Sequence, residues 1–194
     1  QITPVWTKGF MRYIESYLGD TPETFTYEGK EYTPQSFAQS LDLNLDDYVE
    51  LTSFEAFPFY QATVLPIPDN WLHGQYYNLP IDELMEVMNN ALKNGYTVCW
   101  DGDVSHNGFN HSSGLAILPT DNPEEMINAE IDKWTTLSEK ERKNKIQSFE
   151  SPVPEMKVDD AKRQFKFNNR QTTDDHLMHI TGLLKDQNGT LYYK

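Results

Sequence analysis

At 194 residues the chain is long enough for one large domain with its own core, or for part of a larger one. Hydrophobic residues at 38% and aromatics at 13% support ordered packing, which excludes intrinsic disorder as the general description. Sixteen Lys and Arg against 30 Asp and Glu leave a formal net charge of −14, which repels phosphate backbones and argues against nucleic acid as a partner of this segment.

Cys99 is the single cysteine, so no intrachain disulfide is expected and nothing depends on an oxidising compartment, which fits a cytoplasmic protein. No run of about 18 apolar residues reads as a membrane span. The start, Gln1-Ile2-Thr3-Pro4, has neither an initiator Met nor the apolar core of a signal peptide. A processed chain or a piece of a longer one is therefore expected.

Thr3-Pro4 ahead of Val5, Trp6, Phe10, Tyr13, Ile14, Tyr17 and Leu18 supplies an N-cap, a proline at the first helical position and an apolar stripe, and Gly19 ends this predicted helix. Thr24 to Tyr32, with a turn at Glu28-Gly29-Lys30, suits a small hairpin or extended loop. Thr33-Pro34 caps a short helix over Gln35 to Leu41, and a turn at Leu45-Asp46-Asp47 leads into a strand over Tyr48 to Thr52. Prolines crowd Pro58 to Pro80, so a long irregular connection is predicted there with one short strand, Ala62 to Leu65.

Ile81, Leu84, Met85, Val87, Met88, Ala91 and Leu92 after Pro80 give the strongest helical pattern, stopped by Asn94-Gly95. Tyr96 to Trp100 reads as a buried strand, Asp101 to Gly114 as a polar Gly-rich loop, and Leu115 to Leu118 as a short apolar piece. A charged helix is predicted over about Trp134 to Phe149, and a polar helix or turn over about Val158 to Arg170. A hairpin from Thr172 to Lys194 ends the chain, with Asn188-Gly189 as a type I′ turn signal.

Four groupings could carry chemistry. His176 and His179 have the spacing of a zinc pair on a helix, but Leu177, Ile180, Thr181 and Leu183 read as a strand, where an odd separation puts the rings on opposite faces; no metal is expected. Asp101, Asp103 and Ser105 mimic the start of a calcium loop, yet His106 stands where that loop needs Gly and Ser112 where it needs Glu, so a solvated turn is the reading. Cys99-Trp100 invites a Cys-His nucleophile, but a strand interior followed by Asp101 offers nothing to lower a thiol pKa, and Cys99 is read as a small core residue. His176 beside Asp174 and Asp175 is either a surface histidine or an imidazole whose charged form those carboxylates favour.

The segment Thr172-Thr173-Asp174-Asp175-His176-Leu177-Met178-His179-Ile180-Thr181-Gly182, continuing to Tyr192-Tyr193-Lys194, resembles the histidine-bearing hairpin of the bleomycin hydrolase and aminopeptidase C family, which are papain-like cysteine peptidases. Tyr32 to Ala38, Asp46 to Ser53, Pro80 to Met85 and Asn94 to Trp100 are similar to bacterial members, in the same order. The resemblance implies an α+β papain-like fold with a bent antiparallel sheet. The 194 residues would be a central-to-late part of that single domain. Helical insertions would occupy about 1–60 and 120–170, and a His-bearing sheet region about 96–118 and 172–194.

The same resemblance implies Cys-His-Asn acyl transfer on N-terminal residues of peptides, with His176 as the catalytic histidine, no cofactor and a hexameric assembly. The family's Gln-x-x-x-x-x-Cys-Trp and Asn-Ser-Trp-Gly segments have no match here, so the chain alone is expected to be inactive. The alternative is a natural short protein that kept the scaffold and lost the chemistry, a papain-like binding or regulatory module.

Overall fold

The computed structural model describes residues 4–120, 126–127, 134–148, 150 and 153–194. Five α-helices and several small sheets among the described residues make the chain a mixed α+β protein. It divides into two compact units, Gln1–Tyr48 and Val49–Lys194.

The first unit begins with α1 (Val5–Leu18), stopped by Gly19 at φ 85°. Pro4 occupies the N-cap, one place earlier than the reading from sequence put it; Thr3, the expected cap, lies outside the described residues. Strands β1 (Phe25–Tyr27) and β2 (Lys30–Tyr32) pair antiparallel, and positive φ at both Glu28 and Gly29 gives the two-residue connection whose twist suits a hairpin. Helix α2 (Pro34–Ser40) starts with a capping box, Ser36 N–H donating to Thr33 Oγ1 at 3.1 Å and Thr33 N–H to Ser36 Oγ at 2.9 Å. Phe37 of α2 meets Phe25, Tyr27 and Tyr32 edge-on, each at 5.3 Å, so one ring fastens helix to hairpin.

In the second unit a three-stranded sheet runs in the order β3 (Leu51–Thr52), β5 (Gln75–Asn78), β4 (Gln61–Val64), with β3 parallel and β4 antiparallel to β5. The sequence reading missed β5, because prolines flank it at Pro66, Pro68 and Pro80 without entering it. The expected strand over Tyr48 to Thr52 shortens to its last two residues. Asn78, fully buried, closes β5 onto the preceding loop: its Oδ1 accepts from Phe54 N–H at 2.8 Å. Its Nδ2 donates to the carbonyls of Phe54, Phe57 and Pro58 at 2.9, 3.1 and 3.2 Å.

Helix α3 (Ile81–Lys93) follows Pro80, with Asp82 and Glu83 in its first turn and Lys93 in its last, as the macrodipole favours. The helix expected from Trp134 is interrupted at 136–138: Trp134 is helical and packs with Val153, Ile117, Leu137 and Ile146, and helix α4 (Glu139–Ser148) follows the break; the expected end at Phe149 lies outside the described residues. Helix α5 (Asp160–Asn168) is capped by Asp159, whose Oδ1 accepts from Lys162 N–H at 2.8 Å. It docks on the Asn78 clasp: Arg163 Nε donates to the Ser53 carbonyl at 2.6 Å, its guanidinium lies 4.8 Å over the Phe54 ring, and Phe167 meets Phe54 at 4.6 Å. Asp160 Oδ1 takes the Ile81 N–H at 2.7 Å, joining α5 to the start of α3.

The remaining strands form pairs. β6 (Val98–Gly102) pairs with β11 (His176–Ile180), β7 (Phe109–Asn110) with β8 (Leu115–Ala116), β9 (Met126–Ile127) with β10 (Glu155–Met156), and β12 (Leu183–Lys185) with β13 (Leu191–Tyr193), all antiparallel. The expected terminal hairpin is thus β12 and β13 alone, and the histidine strand belongs to β6. Its turn is not type I′. Only Gly189 has positive φ, at 86°, while Asp186 Oδ1 accepts from Asn188 and Thr190 N–H, both at 2.8 Å, in a three-residue loop. No described helix is long and apolar enough to cross a membrane.

Asn78→Ala is expected to lower stability by about 3 kcal/mol or more, because it strands a buried N–H and leaves carbonyls unsatisfied. Asn78→Asp should be nearly as damaging, since a carboxylate cannot donate; denaturant melts of the three proteins check this. Burial and the charges of Glu155 and Asp186 push the Tyr192 hydroxyl from its ordinary 10 up to about 12. A raised pKa contributes stability that is whole below pH 10 and lost as pH climbs to about 12. Tyr192→Phe is expected to flatten that part of an alkaline stability profile.

Candidate active site

The β6–β11 ribbon sets the geometry. Its register places His176 opposite Gly102, Leu177 opposite Asp101, Met178 opposite Trp100, His179 opposite Cys99 and Ile180 opposite Val98. Facing residues share a side of the sheet and alternate along each strand. One face therefore carries Val98, Trp100, Gly102, His176, Met178 and Ile180, and the other carries Cys99, Asp101, Leu177 and His179.

His176 is exposed at the first position of β11, and among the described residues none is hydrogen-bonded to its imidazole. The segment leading to it is fixed by backbone contacts rather than by the ring. Asp175 N–H donates to the Gly102 carbonyl at 3.2 Å, and the Asp175 carboxylate accepts from Val104 N–H at 2.9 Å and from the Thr173 hydroxyl at 3.2 Å. Asp103 takes the Thr173 N–H at 3.1 Å and the Ser105 hydroxyl at 2.9 Å. Asp175 thus serves the loop.

His179 lies on the other face, its Nε2 2.6 Å from Thr97 Oγ1. The two histidines share no ligand, and no group of three His, Cys, Asp or Glu among the described residues could hold a metal ion. Cys99 is exposed rather than a core residue, because its side of β6 is left uncovered by the described residues. It also stands on the face away from His176 and three pairs along, so the two cannot form a dyad. The calcium-like stretch is likewise structural: its Asp101 and Gly102 belong to β6 and its Asp103 bonds Ser105 and Thr173.

Carboxylates dominate the field around this end of the ribbon. Burial, then the charges of Asp174 and Asp69, raise the Asp101 carboxyl. Asp175 is held below the usual range chiefly by the Val104 N–H. The Tyr76 hydroxyl is raised by burial and by Glu50, Asp101 and Asp174.

Sequence reasoning overlooked a second feature beside His176. A Cβ on Gly102 would lie 2.0 Å from Trp100 Cζ2, 2.4 Å from Cε2 and 2.5 Å from Cη2, so the indole occupies the surface over that glycine. A glycine at a strand's end, two residues after a tryptophan, was the available signal.

The raised Asp101 carboxyl works against the fold once ionised: its contribution is complete below the ordinary carboxylate value of 3.8 and is lost as pH rises through the shifted one. Asp101→Asn is therefore expected to raise Tm at pH 7, with the gain vanishing in acid. Asp175→Asn should lower Tm at pH 7, because a depressed carboxyl contributes above its ordinary value and loses that contribution as pH falls. Thermal melts across pH read both.

No family model and no curated protein matches the sequence. Among solved structures the chain is similar to PepW from Lactobacillus rhamnosis HN001, with a TM-score of 0.55 and 18% identity over 95% of this chain and 38% of that one. At that identity the likeness is one of fold, and these residues span 38% of the length of the PepW chain.

Proposed function

We propose that the chain is part of a cysteine aminopeptidase of the bleomycin hydrolase and aminopeptidase C type, with a papain-like fold and with His176 as its general base and acid. The observation that carries this reading is the exposed imidazole of His176 at the end of the β6–β11 ribbon, with no described residue hydrogen-bonded to it. The motifs around Thr172 to Gly182 support it from the sequence side, and the distant likeness to PepW supports it from the fold side.

In this reading the nucleophilic thiol and the Asn that orients the imidazole belong to polypeptide outside the 194 residues. His176 takes the thiol proton, the sulfur attacks the peptide carbonyl, and the imidazolium returns the proton to the leaving amine. It then activates the water that hydrolyses the acyl-enzyme. Peptides with a free α-amino group are the substrates, and a net charge of −14 favours that ammonium. A homo-hexamer is the assembly that the family resemblance proposes, and the single cysteine fits a cytoplasmic setting.

His176→Gln in the complete protein is expected to reduce kcat on aminoacyl-coumarin substrates by about 10⁴-fold or more. The 194-residue chain alone should give no turnover, and Cys99→Ser should leave the complete enzyme's rate unchanged. Full activity in the His176→Gln enzyme overturns the assignment. Turnover by the isolated chain that Cys99→Ser abolishes overturns it as well.

A further inference from the structure

We infer that Trp100 is the positioning residue for His176: its indole, laid over Gly102, fills the space across the ribbon and holds the imidazole outward at the ribbon's end. The inference rests on the reading of His176 as the general base.

Three observations carry it. First, the register puts Gly102 directly across from His176, and Trp100 shares their face. Second, the six-membered ring of the indole stands where a Gly102 side chain would be, its Cζ2 2.0 Å from that Cβ position. Third, Gly102 is buried although it has no side chain, whereas His176 is exposed. Facing Cβ atoms in an antiparallel pair lie about 4.5–5.5 Å apart. The benzo edge, 2.0 Å from the Gly102 Cβ position, therefore stands about 2.5–7.5 Å from the His176 Cβ.

A residue opposite a bare glycine ordinarily has open surface to lie across. For His176 that surface is filled, so of the three staggered χ1 wells the one leaning over β6 is closed. The wells that remain turn the ring away from the surface of β6. A general base gains from such fixing because its orientation is set before the substrate arrives. The glycine is part of the device, since only a residue without Cβ lets the indole settle on the strand.

The experiment is NMR on the 194-residue chain labelled at His and Trp. Expected in the unaltered chain are NOEs between the Trp100 benzo-ring protons and the His176 β-protons. Unequal Hα–Hβ couplings at His176 should report that the χ1 well leaning over β6 is empty. Gly102→Ala, which displaces the indole, and Trp100→Leu, which removes it, should abolish the NOEs and collapse the two couplings toward one averaged value. Trp100→Phe should restore unequal couplings in part. Absent NOEs in the unaltered chain, or couplings unchanged in the two variants, overturn the inference. If Trp100→Leu fails to fold, the NOEs and couplings of the unaltered chain still decide.

In the complete enzyme Trp100→Leu is expected to lower kcat about tenfold with KM little changed. The spectroscopic result needs no turnover, so the two ideas fail separately. An active His176→Gln enzyme sinks the general-base reading while the indole contact stands, and missing NOEs sink the contact while that reading stands.

Discussion

One carboxamide ties the second unit together. Asn78 ends the central strand of its sheet and spends both ends of its side chain on the main chain of Phe54 to Pro58. Buried amide hydrogen bonds of this kind contribute modestly when made and cost heavily when one partner is lost. The consequence reaches well beyond β5, because the loop that Asn78 shapes is the surface on which α5 lands. Phe54 presents its ring to Phe167 and to the Arg163 guanidinium, and the Ser53 carbonyl receives Arg163 Nε.

From α5 the constraint passes to the histidine strand. Asp160 bridges the Ser53 hydroxyl and the Ile81 N–H, so the same helix fixes the start of α3. At its far end Lys166 O takes the N–H groups of Gln171 and Thr172, turning the chain toward Thr173 to Asp175. Those residues are then held by Asp103, Val104 and Gly102. Burial lowers the Arg163 pKa, and the charge of Asp160 opposes that shift. His176 is placed at the end of this relay of backbone contacts, and its own ring is left out of it.

Much of this was legible in the residues, and the misses share a cause. Helices α1, α2, α3 and α5 were readable because proline, capping side chains and glycine mark their ends, and these are local signals. β5 was hidden because Gln75-Tyr76-Tyr77-Asn78 has no alternation of apolar and polar residues; its place depends on a parallel partner 26 residues earlier, Leu51 facing Tyr77, and on Asn78 bonding to Phe54, 24 residues earlier. The turn at Asp186 to Thr190 misled for a subtler reason. Asn-Gly favours positive φ at both positions, but the Asp186 carboxylate captured the Asn188 and Thr190 amides and imposed a different loop. At the site, the odd spacing of the two histidines was enough to separate them, whereas the exposure of Cys99 depended on what covers β6 and could not be read from a short apolar run.

Parity is the last step. A two-residue repeat means that no rotamer change can bring Cys99 to the face of His176, because doing so would require the strand to slip by one residue and turn Val98 and Trp100 outward. Ile180, buried at 8% exposure, and Gly102, covered by the indole, both oppose such a slip. The exposed thiol and the exposed imidazole are thus kept apart by the most strongly specified feature of the ribbon, its register. His176 shares its face with Trp100, so on the proposed reading that is the side from which a nucleophile would come.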